Sequence, residues 1–244
     1  MVFRIAGLRP AHDASRRPAV RKSMMPAMSL VLHGYYYSVY NRIARLALAE
    51  KGVAYDRVEV NPFADTPPEY LALHPFGRVP TLVHDGFVLY ETGAITRYVD
   101  RSFPGPALQP ATPRALARMD QLIGIIDSYG YWPMVRQVFS HRVFRSAAGR
   151  PVDEAEVALG LAGATKVLAA LEALASEPFL AGPELSLADL HVGAMVAYFT
   201  LAPEGTALLA KYPRLAVWWA NLRQRASFAA TDPGLPPPDR VTKA

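Results

Sequence analysis

Pro80 constrains this chain more than any other residue. It heads the apolar run Pro80-Thr81-Leu82-Val83, and a proline cannot donate to a sheet ladder. It therefore marks where a strand begins. An X-Pro bond at such a turn is a candidate cis bond. A cis Val79–Pro80 bond would turn the Val79 N–H and C=O outward, where an extended peptide can pair with them as an added strand. Eleven residues later, Glu91-Thr92 heads a helical pattern. A helix N-terminus is a natural carboxylate site. Together these features describe a grip for a short peptide with a free carboxylate.

The surrounding pattern reads strand, helix, strand, helix, strand, strand, helix. Leu30–His33 is a short apolar run. Val39–Lys51 carries Ile43, Leu46 and Ala47 at helical spacing and ends at Gly52, a good C-cap. Tyr55–Val60 alternates like a strand, and Pro67–Leu73 is a short helix. Thr81–His84 and Phe87–Tyr90 flank Asp85-Gly86, a two-residue hairpin signal. Glu91–Phe103 is a helix, and prolines from Pro104 to Pro113 punctuate a linker. Beyond it every periodic stretch is helical: Arg114–Phe144, with a bend expected near Gly130 and Pro133; Asp153–Ala175; Ser186–Thr200; and Pro213–Arg225. Ser186 and Asp189 have the spacing of an N-cap hydroxyl and an acidic third residue. The organisation expected is a disordered extension over 1–28, an α/β domain over 29–103, a linker over 104–113, an all-helical domain over 114–228 and a loose tail over 229–244.

Charge and cysteine narrow the chemistry. The net charge is +5, but residues 1–28 hold six of the 26 basic residues and only one of the 21 acidic ones. The rest is balanced at twenty of each, with no global nucleic-acid signature. The extension is Arg-rich and acid-poor, as a targeting segment is, yet has no amphipathic period. The favoured reading is a loose tail or a start placed too early, with Met24, Met25 and Met28 as alternatives. Cysteine is absent, which excludes disulfides, thiolate metal sites and a cysteine nucleophile. The six histidines show no metal spacing, and no apolar run reaches the length of a membrane span.

From about Ser29 to about Phe228 the chain resembles the soluble, cytosolic-type glutathione transferases, of bacterial-like, serine or tyrosine type. Val79-Pro80, Glu91-Thr92 and Ser186-Leu187-Ala188-Asp189, in that order, carry the resemblance. It implies a thioredoxin-like N-terminal domain with a mixed four-stranded sheet and an all-α C-terminal domain. It also implies glutathione as cosubstrate, no metal, a small hydrophobic electrophile, a homodimer, a cytoplasmic location, and no nucleic-acid or membrane partner. Val79, Pro80, Glu91 and Thr92 would hold the tripeptide, with Arg78 meeting its glycine carboxylate. The activating hydroxyl would lie in the loop after the first strand, at Ser38 or Tyr37, then Tyr35. Tyr40, Tyr129 and Trp132 would line the acceptor pocket, Phe76 would touch a partner subunit, and Ser186 with Asp189 would cap a helix for folding. With no cysteine of its own, the protein would have to use a thiol brought by the ligand. The alternative reading is a non-catalytic binding or regulatory module of the same fold.

Overall fold

The computed structural model describes residues 28–235. The expected N-terminal extension up to residue 27 and the tail from 236 lie outside the described residues.

Four short strands, β1 (Leu30–Gly34), β2 (Asp56–Glu59), β3 (Thr81–His84) and β4 (Phe87–Tyr90), form one sheet in the order β2-β1-β3-β4. β1 pairs parallel with β2, and β3 pairs antiparallel with both β1 and β4. The parallel pair needs a crossover, which α1 (Val39–Glu50) supplies. The β3–β4 hairpin turns on Asp85 (φ 48°) and Gly86 (φ 86°), the left-handed pair that a two-residue turn demands. α2 (Pro68–Leu73) precedes β3, and α3 (Thr92–Ser102) follows β4. Leu30 and Leu32 alternate inward from β1 and meet Ile43, Leu46, Leu82, Ile95 and Val99 in the core.

The linker is pinned at a buried carboxylate. Asp100 accepts hydrogen bonds from Lys51 Nζ at 3.1 Å, Leu108 N–H at 2.8 Å and Gln109 Nε2 at 2.9 Å. The helical layer then begins with α4 (Pro113–Ile125), capped by the Thr112 hydroxyl. It runs on into Ile126–Phe144, wound as a π-helix, and a single turn, α5 (Arg145–Ala147). The expected bend near Gly130 and Pro133 is thus a long stretch of wider turns. In an α ladder the Pro133 ring would clash with the carbonyl four residues back, and wider winding relieves that clash.

α6 (Glu154–Leu174) packs closely against this stretch. A Cβ at Gly160 would come within 2.7 Å of the Pro133 carbonyl oxygen. By length and composition α6 is apolar enough to cross a membrane, contrary to the expectation above. Its alanines and glycines score as apolar while letting a neighbouring helix approach. α7 (Leu187–Phe199) lies at the centre of the helical layer, buried along most of its length. α8 (Pro203–Leu209), α9 (Pro213–Leu222) and α10 (Ala226–Ala230) complete it.

The Asp189 carboxylate is fully buried in the first turn of α7. It accepts from Ser186 N–H and Oγ–H at 2.8 Å each, Leu180 N–H at 2.9 Å and the Trp218 indole at 2.8 Å. Burial pushes its carboxyl above the usual carboxylate range, against the pull of these four donors.

Candidate functional site

A cavity of about 870 Å³ opens between the sheet layer and the π-wound helix. Three backbone features meet on its sheet side: the β1–α1 loop with Ser38, the Val79–Pro80 turn, and the start of α3 at Glu91-Thr92.

The β1–α1 loop is held by Asn41. Its Nδ2 donates to the Tyr35 carbonyl at 3.0 Å, and the Ser38 N–H donates to the same carbonyl at 3.0 Å. A Cβ at Gly34 would fall 2.3 Å from Asn41 Oδ1, so a larger residue there would displace the Asn41 side chain that holds the loop. Ser38 is the N-cap of α1, its Oγ accepting from Asn41 N–H at 3.3 Å. The Ser38 hydroxyl proton has no acceptor among the described residues. The Tyr37 carbonyl accepts from the buried Tyr198 hydroxyl at 3.2 Å, which ties the loop to α7. Burial pushes the Tyr198 phenol well above its ordinary range. Tyr35 is buried, with its ring edge-on to Tyr37 and Phe63. Tyr35, Tyr37 and Ser38 all line the cavity.

The Val79–Pro80 bond is cis. The ladders of β3 start only at Thr81, so Val79 stands outside them. The Tyr70 hydroxyl donates to the Arg78 carbonyl and braces this turn, while the Arg78 side chain lies at the cavity rim. His74 is buried behind the turn, 4.7 Å from the Tyr90 ring, and burial lowers its pKa. Glu91 is not the first residue of α3, as its place in the sequence suggests, but the N-cap, at φ 71°. Non-glycine residues seldom adopt that conformation, and outliers of this kind cluster at ligand clamps. It leaves Thr92 and Gly93 at the first turn, with their N–H groups free of helical partners.

The helical wall differs from the expectation. Tyr129 is 68% exposed and stays out of the cavity, whereas Trp132 lines it. In place of Tyr129 stands Tyr131, its ring 4.9 Å from Tyr40. Burial, then Asp127, Tyr131 and Glu91, raises the Tyr40 phenol far above its ordinary pKa, so it remains protonated. Cavity-facing positions fall in groups at 127, 131–132, 135–136, 139–141 and 144–145, one group every four or five residues. Asp127 meets the buried His191 Nδ1 at 3.3 Å, and His191 Nε2 lies 3.3 Å from Thr96 Oγ on α3. Phe76 is 70% exposed, away from the cavity, with its ring edge-on to His74 and Tyr90. Among the described residues there is no grouping of side chains that could hold a metal.

Sequence reading missed Asn41, Asp127, Tyr131 and the arginines of the helical wall. Asn41 left one signal, a poor helix former in the first turn of an otherwise good helix.

Two family descriptions match the chain: "Glutathione S-transferase, N-terminal domain" over residues 32–107 and "Glutathione S-transferase, C-terminal domain" over 154–220. Glutathione S-transferase 3 of Zea mays is 32% identical over 196 residues, covering 78% of this chain and 87% of that protein. A glutathione S-transferase of Pseudomonas putida is 33% identical over 162 residues, covering 66% and 70%. Among solved structures, glutathione S-transferase III in apo form superposes with a TM-score of 0.76 at 31% identity, covering 86% of this chain and 99% of that one. Glutathione S-transferase I from maize in complex with an atrazine glutathione conjugate gives 0.72 at 27% identity, covering 83% and 96%.

Proposed function

The chain belongs to the glutathione S-transferase family, and from that premise we propose that its cavity binds glutathione and activates the thiol for attack on an electrophile. One observation carries the reading: the Ser38 helix start, the outward backbone of Val79 and the first turn of α3 converge on one cavity. The cysteinyl unit pairs with the Val79 N–H and C=O. The γ-glutamyl carboxylate sits on the Thr92 end of α3, where N–H donors and the helix dipole favour an anion. Arg78 at the rim meets the glycine carboxylate.

Ser38 is placed ahead of Tyr37 and Tyr35 as the activating group. Its oxygen already accepts from Asn41 N–H, which leaves the hydroxyl proton to donate to sulfur. The partial positive charge at the start of α1 also favours a thiolate. A free thiol with a pKa of about 8.5 is mostly protonated at neutral pH. A hydrogen bond that favours the anion draws the proton off to solvent. The thiolate lone pair then forms a C–S bond while the leaving group departs with its own electron pair. Where the electrophile is an activated alkene, the adjacent carbon takes up a proton instead. A homodimer with Phe76 at its interface and a cytoplasmic location belong to the same proposal; the exposed Phe76 ring supports the dimer.

Calorimetry of glutathione on the wild type and on Glu91→Ala and Thr92→Ala tests the reading. Binding by the wild type and weaker binding by both variants is the expected result. No binding by the wild type at millimolar glutathione rejects it. A binding module without catalysis would bind equally well but leave the thiol pKa of the bound tripeptide at its free value.

A further inference from the structure

We propose that the acceptor end of this cavity is a site for the anionic tail of the electrophile, so that the preferred substrate is an apolar body bearing a carboxylate. This rests on the transferase reading and names its substrate class.

The sheet-side end of the cavity accounts for glutathione. The helical wall, along the second half of the π-wound stretch and α5, is not the purely apolar surface that a hydrophobic electrophile needs. Arg136 and Arg145 line it, with His141 between them. Neither arginine makes an ion pair with an acid among the described residues. Arg145 Nε and His141 Nδ1 are buried without a hydrogen-bond partner. A buried donor left without an acceptor costs free energy.

Acids were available nearby. Arg142 lies between these residues in sequence and is clamped by Glu154 and Glu204, each at 2.7 Å. The one acid of this wall that faces the cavity, Asp127, is engaged by His191. The chain thus neutralises the arginine that faces α6 and α8 and leaves Arg136 and Arg145, both lining the cavity, without an acid partner among the described residues.

The flanking surface fits an apolar body. Phe139 and Phe144 line the same wall, their rings 6.1 Å apart. Phe63 reaches across from the sheet layer, 5.9 Å from the Arg136 guanidinium. A guanidinium presents a planar fork that matches a carboxylate. Within a cleft, where the effective dielectric is lower than in bulk water, that pairing is stronger than on an open surface. The glycine carboxylate of glutathione is the competing occupant, but Arg78 stands nearer the tripeptide grip.

The test compares binding of two conjugates, S-(4-carboxybenzyl)glutathione and S-benzylglutathione, by calorimetry on the full chain, with glutathione alone as the reference. It needs no knowledge of the natural electrophile. The carboxybenzyl conjugate is expected to bind about tenfold more tightly, and Arg136→Gln and Arg145→Gln are each expected to remove most of that preference. Tighter binding at low ionic strength, confined to the carboxylated conjugate, is the second expected signature. Equal affinity of the wild type for both conjugates overturns the proposal, as does a preference that survives in the Arg136→Gln/Arg145→Gln double variant. If the two substitutions weaken glutathione itself as much as the carboxylated conjugate, the arginines serve the tripeptide and the proposal also fails. Failure of the wild type to bind glutathione at all rejects the transferase reading, a distinguishable result.

Discussion

Asp189 offers the sharpest test of what holds the helical half together. The substitution is Asp189→Ala, with Asp189→Asn as its control. Alanine leaves three donors without an acceptor in the core: Leu180 N–H, Ser186 N–H and the Trp218 indole. The Ser186 hydroxyl can turn to another acceptor and is not counted. At about 1–3 kcal/mol for each orphaned buried donor, the loss is about 3 kcal/mol even at the low end. That is a large share of a typical folding free energy of about 5–15 kcal/mol. Asparagine behaves differently. Its Oδ1 still accepts from Leu180 and Trp218, which both use one oxygen of the native carboxylate. Its Nδ2 replaces the oxygen that Ser186 N–H donates to, so one donor is orphaned, at about 1–3 kcal/mol. The order of stability is therefore wild type, Asn, Ala. Urea unfolding followed by tryptophan fluorescence reads this well, because Trp132, Trp218 and Trp219 all lie in the helical half. With a urea slope of about 1–3 kcal/mol per molar, the alanine midpoint falls by at least about 1 M. An alanine variant that unfolds with the wild type would refute the hydrogen-bond accounting. An asparagine variant as weak as alanine would show that the negative charge, not the count of satisfied donors, matters.

Two further outcomes follow from the structure. Ser38→Ala should raise the thiol pKa of bound glutathione by about one to two units, the equivalent of one hydrogen bond to a charged group at about 1.5–3 kcal/mol, with little change in affinity; thiolate absorbance against pH measures it, and titration like wild type would move the activating role to Tyr37 or to the helix terminus alone. For Glu50, burial works to raise the carboxyl, but hydrogen bonds from Arg225 and Ser227 outweigh it and hold the folded pKa below its usual 4.5. The stability this gives is complete above the unfolded value and is lost as pH falls through the folded one. Glu50→Gln should therefore flatten the acid limb of stability below about pH 4.5; an acid limb as steep as wild type would rule out this pair as its source.

Much of the sheet layer was legible because its signals are local. Asp85-Gly86 dictates the hairpin, Gly52 ends α1 at φ 65°, and Pro80 sits just ahead of β3. α1 and α9 carry an amphipathic period, and α1, α6 and α7 carry their own N-caps. The short α8 and α10 do not: at seven and five residues they offer too little pattern, and packing decides them. The helical wall of the cavity departs from the sequence reading for a different reason. Tyr129 and Trp132 are three residues apart and share a face in an α-helix. The π winding divides them and brings Tyr131 inward instead. Buried polar groups such as Asn41 and His191 were equally opaque, since their partners are set by tertiary contact.

The wide winding of Ile126–Phe144 has a consequence for how the site could be gained or lost. An α-helix turns about 100° per residue. Arg136 is nine residues from both Asp127 and Arg145. In ordinary α form it would stand about half a turn away from both, on the opposite side of the helix. The cluster therefore exists only while the turns stay wide. A sequence could keep every one of these side chains, wind the stretch as an ordinary α-helix, and carry Arg136 out of the cavity altogether. Acceptor preference in such a protein is stored partly as rotational phase, which comparing aligned residues one by one does not reveal.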